Sequence, residues 1–363
     1  MKIGLIGLPM TGKTTFFNLL TNTAMDFSGT SYGRTEAHIG VSKVPDMRID
    51  FLSEIYKPKK TIYATIEVTD IKGVAAGISS QKSLGANPFL ESVRQVDALV
   101  HVVRAFRADD IIHIEGSIDP VRDIETLNIE LLFADLAVVE NRILRIETSK
   151  KITKDMIGEL EVLKKCREVL ENEKLINSIE LTDVEKQHLK SFSFLTERPL
   201  ILLVNLDEEQ FKSRKYNQRE KVMKYAEERQ IPILEICAKT ELEINQLEDE
   251  DKAMFMEDLG IEETGISKLA NTMYNYLGLI SFLTVGEDEV RAWPVRKGIA
   301  AKAAAGKVHS DIERGFIRAE VVSFDDFKKL GSMQKVREKG LFRLEGRDYI
   351  VHDGDIINFR FNI

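Results

Sequence analysis

The chain has 363 residues, of which 43% are hydrophobic and 30% charged, and its formal net charge is −8. This length allows two or three domains with ordinary cores, and the acidic balance argues against whole-surface adhesion to nucleic acid. No apolar run approaches the roughly 18 residues of a membrane span, and Met1 and Lys2 lead directly into a strand-like run, so we expect a cytoplasmic protein without membrane attachment. Cys166 and Cys237 lack metal-ligand spacing and predict neither a zinc site nor a disulfide framework.

The first predicted element is a short strand, Ile3–Ile6, and it leads into the most informative motif of the chain. The segment Gly7–Thr15 reads GLPMTGKTT and fits the phosphate-binding pattern GxxxxGK[ST]. A helix-like stretch, Thr15–Leu20, follows it. A strand, a loop and a helix in this order predict a triphosphate-binding loop rather than a chance glycine-rich turn.

The residue types of this loop match its chemistry. Gly7 and Gly12 allow backbone N–H groups to point at phosphate oxygens. The start of the following helix adds unpaired N–H groups and a positive dipole end. Lys13 reaches the outer phosphates, and the hydroxyl of Thr14 is expected in the shell of a Mg²⁺ ion.

A second predicted strand, Thr61–Val68, leads into Asp70–Gly73, which matches D-x-x-G. This places Asp70 where a P-loop protein holds Mg²⁺, and it places Gly73 near the γ-phosphate. In Ras-like hydrolases a Gln follows this Gly and orients the attacking water. Here Val74 follows, and its apolar side chain cannot polarise water.

Three further apolar runs are predicted as strands: Ala98–Val103, Leu200–Val204 and Ile231–Ile236. Their alternation with helix-like segments predicts an α/β domain on a largely parallel sheet. About a hundred residues separate the first two of these runs, which is more than one crossover helix requires. We therefore expect an insertion between them.

The insertion carries the pattern of a helical hairpin. Its apolar residues repeat at intervals of three and four, in two sets: Leu132, Leu136, Val139, Ile143 and Ile146, then Met156, Leu160, Leu163 and Leu170. A polar turn, Thr148–Lys154, separates the sets, so an antiparallel hairpin resembling a coiled coil is predicted. Its charged flanks are compatible with a partner contact and equally with a solvated surface.

In GTPases the guanine base is usually recognised by the motif N-K-x-D, which follows a later strand. This chain has Asn205-Leu206-Asp207-Glu208, so the Lys is absent and the fourth position carries a longer acid. The extra methylene of Glu208 moves its carboxylate out of register with the two guanine N–H donors, which argues against strict GTP selectivity. A one-residue shift that brings in Asp207 would restore guanine recognition, and the alternative for Asn205 is a simple turn residue.

After about Leu279 the pattern changes to short strands at Glu289–Pro294, Gly315–Val322, Tyr349–Val351 and Ile356–Phe361, with a helix near Phe324–Gly331. This predicts a separate small α+β domain. The segment from residue 291 to residue 318 contains seven basic residues and two acidic ones. Such a segment suits an RNA or ribosome contact, and a solvated face is the alternative.

Several of these motifs together resemble the Obg-like ATPase (YchF) family over essentially the whole chain. They are Gly7–Thr15, Asp70–Gly73, His101–Arg104, Ile111–His113, Ser191–Thr196, Asn205–Glu208 and the C-terminal block Glu289–Asp355. The resemblance implies a P-loop NTPase fold, a Ras-like α/β G domain over residues 1–120 and 197–278. It further implies an inserted α-helical coiled-coil arm over 121–196 and a β-grasp (TGS) α+β domain over 279–363.

The resemblance also implies an ATPase that needs Mg²⁺ and associates with ribosomes, with RNA contact through the TGS domain. It assigns nucleotide contacts to a set of twelve residues: Gly7, Met10, Thr11, Gly12, Lys13, Thr14, Thr15, Gly73, Asn205, Leu206, Glu208 and Ala238. Magnesium ligands are expected at Thr14, Thr35 and Asp70. Catalytic roles are expected for Lys13 and His113.

His113 illustrates what the resemblance adds. Nothing in the surrounding residues marks it as more than a structural His. The family places a His on a loop at this position to orient water in place of the missing Gln, a role that suits an imidazole. Departures from the family pattern are Met10 in place of Asn, which argues against potassium activation, and Arg34 at the switch Thr position, one residue before Thr35.

Two other functions stay open at this point. One is a GTPase switch in which Asp207 reads guanine. The other is a nucleotide-gated ribosome- or RNA-binding module with negligible turnover, which Val74 and Met10 favour.

Overall fold

The computed structural model describes residues 1–23, 38–71 and 88–362. The predicted Thr35 ligand, Arg34, Gly73, Val74 and the segment after it all lie outside these ranges. None of the helices within them is long and apolar enough to span a membrane.

The described residues form strands and helices that alternate over the first two thirds of the chain. The strands are β1 (Lys2–Ile6), β2 (His38–Lys43), β3 (Lys60–Ile62), β4 (Thr65–Asp70), β5 (Ala98–Arg104), β6 (Leu200–Asn205), β7 (Ile233–Ile236), β8 (Leu279–Val285), β9 (Glu289–Arg296), β10 (Phe316–Ser323), β11 (Arg343–Glu345) and β12 (Asp355–Phe361). The helices are α1 (Lys13–Thr21), α2 (Met47–Tyr56), α3 (Pro88–Arg94), α4 (Pro120–Glu147), α5 (Lys154–Glu171), α6 (Asp183–Leu189), α7 (Glu208–Ser213), α8 (Arg219–Glu228), α9 (Ala238–Gln246), α10 (Asp249–Asp258), α11 (Gly265–Tyr276), α12 (Ala301–Val308), α13 (Ser310–Arg314), α14 (Phe324–Leu330) and α15 (Met333–Glu338).

The chain divides into two compact units. One comprises Met1–Val41 with Glu67–Ile266, and the other comprises Ser42–Ile66 with Ser267–Ile363. The domain boundaries predicted from the sequence differ from this division, because they assigned residues 42–66 and 267–278 to the nucleotide-binding domain.

The first unit is built on a six-stranded sheet in the order β2-β4-β1-β5-β6-β7. The neighbouring pairs β4/β1, β1/β5, β5/β6 and β6/β7 are parallel. Strands β5 and β6 are buried along their whole length, which explains their largely apolar sequences. Because the carboxyl ends of parallel strands meet at one edge, the loops after β1, β4, β6 and β7 share that edge.

The insertion is the predicted helical hairpin. Helices α4 and α5 begin at the N-caps Asp119 and Thr153, whose side chains accept hydrogen bonds from the first turns. A separate apolar core joins the two helices, and it includes Val139, Ile143 and Leu163 from the predicted repeat. This confirms the hairpin, because apolar residues spaced three and four apart form one face of each helix.

The second unit is built on a six-stranded sheet in the order β11-β10-β12-β8-β9-β3. Its core is formed by apolar side chains of the sheet together with Ala301, Ala304 and Ala305 of α12. Helix α2 belongs to this unit, where Phe51 contacts Phe324 edge-on with ring centroids 5.7 Å apart. The small α+β domain predicted at the C-terminus is present, although its assignment to the TGS class stays a prediction.

Two predicted strands are wrong. The run Thr61–Val68 forms two strands, because β3 pairs with β9 in the second sheet whereas β4 pairs with β1 in the first. β-branched residues favour extended backbone in either sheet, so the local sequence does not show the division. The segment Tyr349–Val351 forms only an isolated bridge between Ala300 and Ile350.

Candidate nucleotide-binding site

The loop between β1 and α1 depends sterically on its two glycines. Gly7 has φ 148° and Gly12 has φ 98°, both in the region that favours glycine. A Cβ atom on Gly7 would lie 2.4 Å from the carbonyl oxygen of Val102, and one on Gly12 would lie 2.4 Å from Nδ2 of Asn205. The loop is therefore packed closely against β5 on one side and against the end of β6 on the other.

Lys13 is buried at the start of α1 and closes the loop on itself. Its Nζ donates to the carbonyl oxygens of Leu8 and Gly7, at 2.8 and 3.2 Å. Burial lowers the pKa of Lys13 to about 8, although the nearby Asp70 carboxylate opposes this shift. The cation is thus held by two backbone oxygens that phosphate oxygens can replace.

Thr14 and Asp70 meet at the predicted metal position. The Thr14 hydroxyl donates to Oδ2 of Asp70 at 2.7 Å. Burial raises the pKa of Asp70, while the Thr14 hydrogen bond and Lys13 oppose this shift. Its Oδ1 atom is buried without a hydrogen-bond partner among the described residues. One hydroxyl and one carboxylate with an unused oxygen fit the hard oxygen ligands that Mg²⁺ prefers.

The other predicted loop residues occupy different environments. The backbone of Met10 has φ 61°, and its side chain is 59% exposed. Thr11 is buried, and its hydroxyl donates to the carbonyl oxygen of Leu8 at 3.1 Å. Thr15 is half-buried in the first turn of α1.

Asn205 connects the phosphate loop to the loop that follows β7. Its Nδ2 donates to the carbonyl oxygen of Thr11 at 3.0 Å, and its Oδ1 accepts from the amide of Ala238 at 3.2 Å. The Leu206 side chain lies in the core and its amide donates to Ile236. The predicted nucleotide contact of Leu206 would therefore involve its backbone carbonyl rather than its side chain.

The acidic residues after Leu206 are both engaged. Asp207 is the N-cap of α7 and forms a capping box with Gln210, and its Oδ2 also accepts from the amide of Arg107 at 3.3 Å. Glu208 forms an ion pair with Lys239, with 2.7 Å between Oε1 and Nζ. The engagement of both Asp207 oxygens argues against its use as a guanine acceptor.

His113 is buried and is not bonded to the phosphate loop in the part of the chain that the structure describes. Its Nδ1 accepts from the amide of Glu115 at 3.1 Å, so the neutral ring carries its proton on Nε2 and donates to Oδ2 of Asp123 at 2.8 Å. Arg122 contacts the other oxygen of this carboxylate. In this arrangement both ring nitrogens are occupied, and neither can hold a water.

Two residues near the site were not predicted to have a role. His101 lies on β5 opposite Ile6 and is fully buried, and burial lowers its pKa to about 3, with a smaller effect from Lys13. Lys239 directly follows Ala238 and pairs with Glu208. Its position next to Ala238, a predicted nucleotide contact, was the available signal.

A parallel sheet with a glycine-dependent phosphate loop, a Lys at the helix start and a Thr–Asp pair beside it defines a P-loop NTPase of the GTPase type. A family model described as "50S ribosome-binding GTPase" matches residues 2–142. The C-terminal family model of the YchF GTPases, described as "Protein of unknown function (DUF933)", matches residues 279–362.

Relatives that match over the full length identify the family. The chain is 43% identical to the Ribosome-binding ATPase YchF of Bacillus subtilis (strain 168), with all of both chains covered. It is 40% identical to the Ribosome-binding ATPase YchF of Escherichia coli O157:H7, covering all of this chain and 99% of that one. The structure of the Schizosaccharomyces pombe YchF GTPase superposes with a TM-score of 0.86 at 32% identity, covering 99% and 97% of the two chains. The chain belongs to the YchF family.

Proposed function

We propose that this protein is a Mg²⁺-dependent ATPase that binds ribosomes. Relatives that match over their whole length carry the name Ribosome-binding ATPase, which supports this proposal. ATP is favoured over GTP because both oxygens of Asp207 already accept hydrogen bonds from backbone amides. A GTPase needs a free carboxylate at this position for the guanine N–H donors.

The phosphate chain would bind across the N-terminus of α1. The backbone amides of the loop and the helix dipole favour the negative charge. Lys13 leaves the carbonyl oxygens of Gly7 and Leu8 and donates to phosphate oxygens instead. In water-poor surroundings this ammonium stabilises the charge that develops on the transferred phosphoryl group.

Thr14 and Asp70 are the described residues that would hold Mg²⁺, and Thr35 is the further predicted ligand. When bound, Mg²⁺ would neutralise phosphate charge. To hold it, Thr14 would turn its hydroxyl away from Asp70 and so free the second carboxylate oxygen. The buried Oδ1 of Asp70, which has no hydrogen-bond partner among the described residues, supports this role.

His113 is the proposed residue that orients the attacking water. It must first leave Asp123 and the Glu115 amide, because both ring nitrogens are engaged. Arg104 bonds the carbonyl oxygens of Phe106 and Ile111 and so ties the segment before His113 to the end of β5. A slow basal rate follows, since this segment must rearrange before chemistry.

Single-turnover hydrolysis tests this assignment. His113→Ala should lower the ATP hydrolysis rate at least about a hundredfold, which is the lower end of the range for loss of a proton-transferring group. ADP affinity, measured by calorimetry, serves as the control for an intact site. An unchanged single-turnover rate would show that His113 has no catalytic role.

The buried state of His113 also favours a second function, a nucleotide-gated binding module with negligible turnover. Sedimentation with purified ribosomes in ATP and in ADP separates the two functions when hydrolysis is measured in the same samples. Nucleotide-dependent binding without hydrolysis supports the module. Hydrolysis in the presence of ribosomes supports the ATPase.

We also propose that the C-terminal unit contacts ribosomal RNA. Several basic side chains of this region are exposed, namely Arg296, Lys297, Lys302, Lys307 and Arg318. Phosphate contacts of this kind make affinity fall steeply with salt. Replacing Lys297 and Lys302 with Ala should weaken ribosome binding and reduce its salt dependence, and an unchanged salt slope would argue against RNA contact here.

A further inference from the structure

The base-side edge of the site ends in an ion pair that joins two loops. The loops after β6 and β7 run side by side, with the amide of Leu206 donating to the carbonyl oxygen of Ile236 at 2.9 Å. Beyond that bond, Nζ of Lys239 lies 2.7 Å from Oε1 of Glu208. Both side chains are exposed, 72% for Lys239 and 42% for Glu208, so the pair is accessible to a bound base.

Each partner responds to the other. Hydrogen bonding to Lys239 lowers the pKa of Glu208, and the same bond raises the pKa of Lys239. Lys212 has a smaller effect on Glu208, and Glu243 has a smaller effect on Lys239. The carboxylate of Glu208 is therefore ionised and is directed toward Lys239.

The two purines differ at the edge that such a carboxylate would meet. Guanine presents N1–H and an exocyclic N–H as donors, and two carboxylate oxygens can accept from both. Adenine presents an acceptor at N1, so a free carboxylate gains nothing from it there. Asp207 is engaged by Gln210 and the Arg107 amide, which leaves Glu208 as the other acid of the Asn205–Glu208 motif. Its extra methylene takes the carboxylate out of register with the pair of guanine donors, but one of its oxygens could still accept from one guanine N–H group.

We propose that Lys239 is a specificity-determining residue. By holding the Glu208 carboxylate in an ion pair, it withholds from guanine the acceptor that the base would need. An exposed ion pair of this kind must be broken before Glu208 can turn to a base. The free energy of such exposed pairs corresponds to a preference against guanine of about 1.4-fold to fivefold. This inference rests on the proposed function, because it places the base at the edge formed by Glu208 and Lys239.

Binding of ADP and GDP tests the inference without any need for turnover. The measured quantity is the ratio of the GDP to the ADP dissociation constant, determined by calorimetry at low salt with Mg²⁺. Lys239→Ala and Lys239→Gln should lower this ratio about 1.4-fold to fivefold. Lys239→Arg keeps the ion pair and should keep the wild-type ratio.

The double variant Glu208→Ala/Lys239→Ala identifies the cause. It lacks the carboxylate, so guanine should gain nothing and the ratio should stay at the wild-type value. Lys224→Ala is the matched control, because Lys224 is also an exposed Lys paired with an acid, Glu228, on α8. An unchanged ratio in Lys239→Ala, or an equal fall in the double variant, would overturn the inference.

The outcome for the wild type separates this inference from the proposed function. If wild-type protein binds GDP as tightly as ADP, the proposed preference for ATP fails. If it prefers ADP and Lys239→Ala keeps that preference unchanged, the proposed function stands and the role of Lys239 fails.

Discussion

Asn205 offers a sharp test of how the site is assembled. Its amide holds two loops at once, donating to Thr11 at 3.0 Å and accepting from Ala238 at 3.2 Å. Asn205→Asp keeps the shape of the side chain and the acceptor for Ala238. It replaces the Nδ2 donor by an oxygen that faces the Thr11 carbonyl oxygen.

The size of the effect follows from burial. Asn205 is 4% exposed, so water cannot replace the lost bond. A buried acceptor that loses its donor costs about 1–3 kcal/mol, and a buried carboxylate facing an oxygen adds to this. We expect a loss of about 2–3 kcal/mol in the free energy of unfolding. If 2 kcal/mol of this loss appears in the free energy of ADP binding, the ADP affinity falls about thirtyfold.

Calorimetric ADP binding and urea unfolding together measure both effects. Asn141→Asp is the matched control, because Asn141 also donates to a backbone carbonyl, that of Ala137, at 2.8 Å, but on an exposed helix surface. It should change stability by less than about 0.5 kcal/mol. An ADP affinity within twofold of wild type in Asn205→Asp would refute the argument that this amide positions the loop.

Three further predictions concern stability, measured by urea unfolding. His101, with its pKa lowered from 6.5 to about 3 by burial, binds a proton more readily in the unfolded chain, so stability is lost as pH falls below 6.5. Between pH 6.5 and 5 the free energy of unfolding should fall by about 1.5 kcal/mol more in the wild type than in His101→Leu. Equal falls in the two proteins would contradict this. Asp135 is fully buried and accepts three hydrogen bonds, so Asp135→Asn should cost about 2–3 kcal/mol, and a cost below about 0.5 kcal/mol would count against it. Arg142→Ala leaves the largely buried Glu159 without its bidentate partner and should lower stability by about 1–2 kcal/mol. Arg167→Ala breaks an exposed pair and should change stability very little. Equal losses would refute the difference between the buried and the exposed pair.

Local pattern was sufficient for some parts of this protein. Gly7, Gly12, Lys13 and Thr14 lie within eight residues of one another, and the conformation of their loop follows from the glycines and the helix start. The hairpin of α4 and α5 was equally accessible, because its apolar residues repeat with the period of a helix. Asp70 meets Thr14 at the edge where the carboxyl ends of the parallel strands lie, and its role as a magnesium ligand stays a prediction.

Other features depended on contacts between residues far apart in the sequence. The run Thr61–Val68 has the composition of one strand, yet its halves pair with different sheets. The sequence left Asp207 open as a guanine acceptor. Its capping box with Gln210 is local, whereas the hydrogen bond from the Arg107 amide joins residues 100 positions apart.

The sequence by itself determined the phosphate loop, the α/β class, the helical arm and the resemblance to the YchF family, because each depends on neighbouring residues or on a regular period. The tertiary structure alone decided which side chains are free to act. Lys239 pairs with Glu208, which lies 31 positions earlier in the sequence, and the buried Asp123 accepts the hydrogen bond of the His113 ring. For these two pairs, hydrogen bonding and burial depend on how segments that are not adjacent in the sequence pack together, and the motifs themselves do not encode that packing.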